Sequence, residues 1–239
     1  MFLGTVAAAQ AQASKTVNEV EQAWLGLFNQ TRISKHWGIW FDVHQRQTDH
    51  FFNRPSQTFL RPAAIYYIND NTRLMAGYAF VWFYKAPQDQ AGHQEHRPWQ
   101  QIWWRQTHAW FNSTQWVRLE ERFVEKVKNG APQQDYGFNW RVRYSYTLAI
   151  PLNHKKTVPN TWSLSFQDEL FINFGHQITY NYFDQNRLFG GIGYQFSEQC
   201  SATFGYMNVF LQTAAGNVFQ SADCLRLYVY YNLDFRKKE

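Results

Sequence analysis

Residues 138–152 read Phe-Asn-Trp-Arg-Val-Arg-Tyr-Ser-Tyr-Thr-Leu-Ala-Ile-Pro-Leu. The even positions, Phe138, Trp140, Val142, Tyr144, Tyr146, Leu148, Ile150 and Leu152, are all large and apolar. Between them stand Asn139, Arg141, Arg143, Ser145, Thr147 and Ala149, which are polar or small. A period of two marks a strand with two different faces. Few half-buried strands of a water-soluble sheet are this long or this uniformly apolar on one side. A strand that crosses a bilayer obliquely has about this length, with one face in lipid and the other turned inward.

The alternation recurs on both sides of this stretch. Leu74, Ala76, Tyr78, Phe80, Trp82 and Tyr84 interleave with Arg73, Met75, Gly77, Ala79, Val81 and Phe83. Near the end of the sequence, Leu225, Leu227, Val229, Tyr231, Leu233 and Phe235 interleave with Arg226, Tyr228, Tyr230, Asn232 and Asp234. This last run ends on an aromatic, which resembles the C-terminal signal read by barrel-assembly machinery, although Arg236, Lys237, Lys238 and Glu239 follow it. The pattern predicts strands over 21–32, 36–47, 56–69, 72–85, 100–111, 114–127, 136–152, 162–174, 187–197, 200–211 and 224–235. That is an odd number, whereas single-chain bacterial barrels have an even one. The expectation is therefore a closed antiparallel transmembrane β-barrel of 10–12 strands, with one strand near the N-terminus miscounted. Short periplasmic turns are expected near 69–71, 112–113 and 197–199, and external loops at 86–99, 128–135, 175–186 and 212–223. The link 153–161 is long for the short-turn side.

Composition agrees. Aromatic residues make up 19% of the 239, with 11 Trp, 14 Tyr and 21 Phe, yet mean hydropathy is −0.54. A water-soluble core would have to satisfy many indole N–H and phenol O–H groups, whereas the rims of a membrane barrel place such rings between hydrocarbon and water. No run of about 18 apolar residues occurs, which argues against a spanning helix and leaves a closed barrel as the spanning solution. The net charge of +5 comes from scattered rather than clustered basic residues, so no nucleic-acid partner is expected. Residues 1–13 resemble the end of a secretory signal, with Ala11 and Ala13 in a small-x-small pattern, and 14–239 are read as one barrel domain. Cys200 and Cys224 fall towards opposite ends of neighbouring strands, too far apart for a disulfide.

The segments Trp99–Arg105, Arg118–Phe123, Asn139–Tyr144 and Asp168–Phe174, followed by Tyr182–Arg187, resemble a bacterial family of outer-membrane β-barrels catalogued only as a domain of unknown function. The resemblance covers roughly 20–235. It implies the barrel architecture, the outer membrane of a Gram-negative bacterium, and lipid, lipopolysaccharide and the assembly machinery as partners. It carries over no catalytic residue.

With the apolar positions facing lipid, the opposite faces collect Asp42, His44, Arg46, Arg105, Arg118, Glu120, Arg122, Arg141, Arg143, Glu169 and Arg226 as candidates for lining the lumen. These charges either pair into a polar plug or line a passage favouring small anionic solutes, and barrel diameter decides between the two. The expected role is a small porin-like pore or a structural barrel. The alternative is a lipid-modifying enzyme, a hydrolase or acyltransferase, with His44 or His108 as base. No Gly-x-Ser-x-Gly elbow supports it. His93, Glu95 and His96 are too few for a zinc site and are read as a solvated loop, so no metal or cofactor is expected. Phe189-Gly190-Gly191-Ile192-Gly193 lies in a strand, its glycines relieving crowding inside the barrel rather than cradling a phosphate.

Overall fold

In the computed structural model, residues 14–86 and 91–236 are described, and the candidate signal segment lies outside them. Eleven strands follow one another: β1 Thr16–Arg32, β2 Trp37–Thr48, β3 Arg54–Asn69, β4 Thr72–Phe83, β5 His93–Thr107, β6 Asn112–Lys128, β7 Ala131–Pro151, β8 Thr161–Phe174, β9 Phe183–Gln195, β10 Cys200–Gln212 and β11 Val218–Asp234. Each pairs with the next in antiparallel register, and β1 pairs with β11 to close the barrel. That closing pair is parallel, running from Thr16 opposite Val218 to Arg32 opposite Asp234.

The expected even count and uniformly antiparallel sheet are thus corrected. All eleven predicted strands exist, and none was missed or split. When an odd number of strands alternates in direction, the first and last point the same way, so the barrel can close only in parallel. The start of β1 and the end of β11 consequently lie at opposite rims. The C-terminal rim carries the links 33–36, 70–71, 108–111, 152–160 and 196–199, and the N-terminal rim carries 49–53, 84–92, 129–130, 175–182 and 213–217.

The expected long loops contract, because strands whose inward residues are polar look like loops by hydropathy. β5 begins at His93, β9 at Phe183 and β11 at Val218, each inside a stretch read as a loop. Between β6 and β7, Asn129 (φ 53) and Gly130 (φ 76) make a two-residue hairpin where a loop over 128–135 was expected. Asn-Gly with both residues at positive φ is the turn whose twist matches that of the strands it joins.

The two faces differ as the alternation requires. Leu25, Leu27, Phe41, Leu74, Phe166, Leu188 and Ile192 are exposed on the outside. Large rings crowd both rims, with Trp37, Trp110, Trp162, Phe196 and Phe235 at the C-terminal one and Phe52, Tyr84, Tyr136, Tyr180 and Tyr182 at the other. Inside, one apolar cluster gathers Trp24, Phe28, Phe189, Met207, Val209, Ala222, Cys224 and Tyr228, and a second gathers Phe59, Ile65, Tyr67, Met75, Ala79, Val81 and Trp99. Gly191 and Gly205 face each other between β9 and β10. A Cβ on Gly191 would stand 2.4 Å from the Phe204 carbonyl oxygen and 2.6 Å from the Phe189 ring, which folds across the pair. Both cysteines are free, with Cys224 opposite Met207 and Cys200 opposite Tyr231.

Candidate functional site: an arginine-lined interior

Arginine and lysine are sorted by the wall. A cavity of about 1270 Å³ occupies part of the interior, and thirteen of the chain's fourteen arginines line it, whereas no described lysine does. Six carboxylates share the lining. The selection has a physical basis: a guanidinium is planar, weakly hydrated and able to bond two acceptors at once, so it tolerates an enclosed site that a strongly hydrated ammonium would not.

The hub is Glu120, fully buried in the middle of β6. It accepts Arg141 Nη2 at 2.5 Å and Nε at 2.8 Å and Arg143 Nη1 at 2.6 Å, while Arg97 and Arg118 stand at 3.8 and 3.9 Å. Arg141 also reaches Asp184 at 2.8 Å, and Arg143 donates Nε to Glu169 at 2.9 Å, with Arg187 3.6 Å from the same carboxylate. Glu95 accepts Arg122 at 2.7 and 3.0 Å and Arg97 at 2.8 Å. Burying this many charges is tolerable because each carboxylate accepts one or more guanidinium N–H groups. Glu95 and Glu120 sit behind their arginines, outside the cavity lining, so cations outnumber carboxylates on the surface that faces the space.

A second group lies on β2 and β3. Asp42 accepts Arg61 Nε at 2.7 Å and Trp40 Nε1 at 2.5 Å. His44 Nε2 is 2.6 Å from Arg61 Nη2 and 2.9 Å from Asp42 Oδ1, while its Nδ1 is buried without a partner. Several arginines also lean on rings, Arg46 on Trp24 at 3.4 Å, Arg73 on Trp103 at 3.7 Å, Arg118 on Trp99 at 3.9 Å and Arg226 on Phe189 at 3.3 Å. Ring faces carry negative quadrupole charge and offset part of the missing counter-ion. At the C-terminal rim, Arg32 donates to Asp70 at 2.6 Å and Arg236 stands 3.5 Å away. The Arg32 hydrogen bond holds the Asp70 carboxyl below its ordinary value of 3.8.

Glu120, Arg118, Arg122, Arg141, Arg143 and Glu169 form one connected network. Asp42 and His44 belong to the second group, and Arg46, Arg105 and Arg226 line the cavity without a carboxylate partner among the described residues. Sequence reading missed Glu95, Arg97, Asp184, Arg187, Arg61 and the rim pair Arg32 and Asp70. Glu95 is a correction. It is a buried strand residue rather than part of a solvated loop, while its neighbour His96 packs outside against Phe80 and Tyr136. The missed signal was the spacing of Glu95 and Arg97, two apart and both inward.

The enzyme alternative finds little geometry. His108 Nε2 lies 3.3 Å from Ser113 Oγ, but Ser113 is buried and no carboxylate orients His108 among the described residues. Nor, among the described residues, do three or more potential metal ligands come together.

The family model described as a protein of unknown function, DUF2490, matches residues 21–220, from within β1 to the start of β11. The chain belongs to that family. The DUF2490 match thus takes in both charged groups and the hub at Glu120. No curated protein and no solved structure matches the chain.

Proposed function

We propose that this DUF2490 barrel is integral to the outer membrane of a Gram-negative bacterium and passes small anionic solutes through its arginine-lined interior. The observation that carries the reading is the lining itself, thirteen arginines against six carboxylates. Supporting a bilayer setting, the outer surface exposes a belt of Leu, Ile and Phe between two rims of aromatic rings, the arrangement that suits hydrocarbon flanked by headgroups. No helix among the described residues is long and apolar enough to cross a membrane, so the strands are the spanning elements under this reading. Export through a cleaved signal at 1–13, insertion by the barrel-assembly machinery, and contact with lipopolysaccharide follow as parts of the same proposal.

Eleven strands lie between the eight that side chains just fill and the sixteen that leave an aqueous channel. The interior accordingly combines a filled part, the Glu120 network, with an open one. Conductance of purified protein in planar bilayers tests the reading. Under a salt gradient the reversal potential should shift towards anions, and Arg105→Gln together with Arg226→Gln should reduce that shift. A silent or cation-selective barrel would refute it.

A further inference from the structure

Arg46 and Arg226 are among the enclosed interior arginines that lack a carboxylate. Arg46 gives Nη1 to Gln57 Oε1 at 2.7 Å, and Arg226 gives Nη1 to Gln167 Oε1 at 2.7 Å, with Met207 Sδ at 4.0 Å. The Nε of each is buried without a partner, and Arg226 is only 5% exposed. Their positions are linked: Trp24 on β1 stands in register with Arg46 on β2 and with Arg226 on β11, which puts the two backbones about 10 Å apart across one residue. Arg187 approaches the same indole at 4.8 Å, and the carboxylate nearest to it, Glu169, is already engaged by Arg143. His44, two residues along from Arg46, adds the unpartnered Nδ1. All four line the cavity, and Ala149, Ser165 and Thr203 line it with small side chains.

Amide oxygens and ring faces only partly replace a counter-ion, so an enclosed cluster of cations with unused N–H groups is organised in advance for an anion. Guanidinium forks match the paired oxygens of an oxyanion, whereas a halide can use only one N–H of each fork at a time. We propose that Arg46, Arg187 and Arg226, grouped around Trp24, form a binding site for a small phosphate-type oxyanion, free or esterified. The site rests on the interior being reachable from solvent, as in the passage proposed above, and adds a station within it.

Calorimetric titration of the detergent-solubilised barrel with inorganic phosphate, in constant excess chloride, provides the test. Saturable binding is expected, weakened about tenfold or more by Arg46→Gln and by Arg226→Gln. Arg105→Gln, which removes a cavity cation outside the cluster, should leave the affinity within about twofold. Gln167→Glu gives Arg226 an internal carboxylate and should weaken phosphate as strongly as Arg226→Gln while retaining heat-modifiable gel migration, which separates loss of the site from loss of the fold. Competition by glycerol phosphate supports a site open to monoesters, and its absence supports one restricted to the free ion. Unsaturable binding, or equal weakening by Arg105→Gln, overturns the site. A barrel that conducts anions but binds phosphate unchanged in Arg46→Gln loses the site and keeps the passage. One that is silent in bilayers yet loses phosphate binding in these variants keeps the site and loses the passage.

Discussion

At the residue scale, Glu120 and Asp70 hold arginines in opposite circumstances. Glu120 is enclosed and bonded to Arg141 and Arg143, so Glu120→Gln leaves two guanidinium groups without their shared counter-ion. Breaking a buried ion pair from one side costs about 3–5 kcal/mol, and Glu120→Gln should lower the temperature at which the folded gel band is lost, with a Glu120→Gln/Arg143→Met double variant recovering part of the difference. Additive losses would mean that the two residues are not coupled. Asp70 instead sits in the β3–β4 turn and is exposed. Its carboxyl is held below 3.8 by Arg32, so the folded state binds fewer protons there than the unfolded one. The stabilisation is complete above about pH 4 and is lost as pH falls through the lowered value. Denaturant unfolding of the wild type and Asp70→Asn should therefore differ at pH 6 and converge towards pH 2, and a gap that widened on acidification would contradict the assignment.

At the scale of the element, the eleven strands were legible because each outward face is a run of large apolar side chains, as in Phe138 to Leu152. The strand ends were less so. His93–Arg97, Phe183–Arg187 and Val218–Asp223 carry charge or amide on the inward face, and a polar interior removes the hydropathy contrast that marks where a strand begins. The contacts of the charged network were illegible for a further reason: Arg141 reaches Asp184 across 43 residues of sequence, a pairing set by register rather than by local spacing. Glycine positions separate two kinds of constraint. Gly130 has open space around it but a φ of 76°, while Gly191 has ordinary backbone but no room for a Cβ. Gly130→Ala should cost about 1 kcal/mol through the turn alone, and Gly191→Leu about 1–3 kcal/mol or more by prising β9 from β10. Hydrogen exchange should then rise at the 129–130 hairpin in the first variant and along the Ser201–Leu211 pairing with β9 in the second; the same exchange pattern in both would show that the two glycines do not act separately.

For the whole molecule, the parity of the strands decides how the barrel is closed. The even-number expectation rests on both termini of a barrel sharing one side of the membrane, a property of the whole chain that no single strand displays. Eleven legible strands implied the parallel seam as soon as all eleven were accepted, since alternation leaves β1 and β11 pointing the same way. A ten-strand barrel that left β1 unpaired would join β2 to β11 in antiparallel fashion and release Thr16–Arg32 from the wall. The two closures place different residues side by side. In the parallel seam Leu25 stands opposite Leu227 and both face outward, at the spacing of neighbouring strands, about 4.8 Å, which lies within the reach of a disulfide. In a background with Cys200→Ser and Cys224→Ser, the Leu25→Cys/Leu227→Cys pair should cross-link on mild oxidation and change gel migration under denaturing, non-reducing conditions. Leu25→Cys with Leu233→Cys is displaced by six residues along β11, about 20 Å, and should not cross-link. Cross-linking of the displaced pair, or failure of the in-register pair in a folded barrel, would place the closure elsewhere and remove Trp24 from between Arg46 and Arg226.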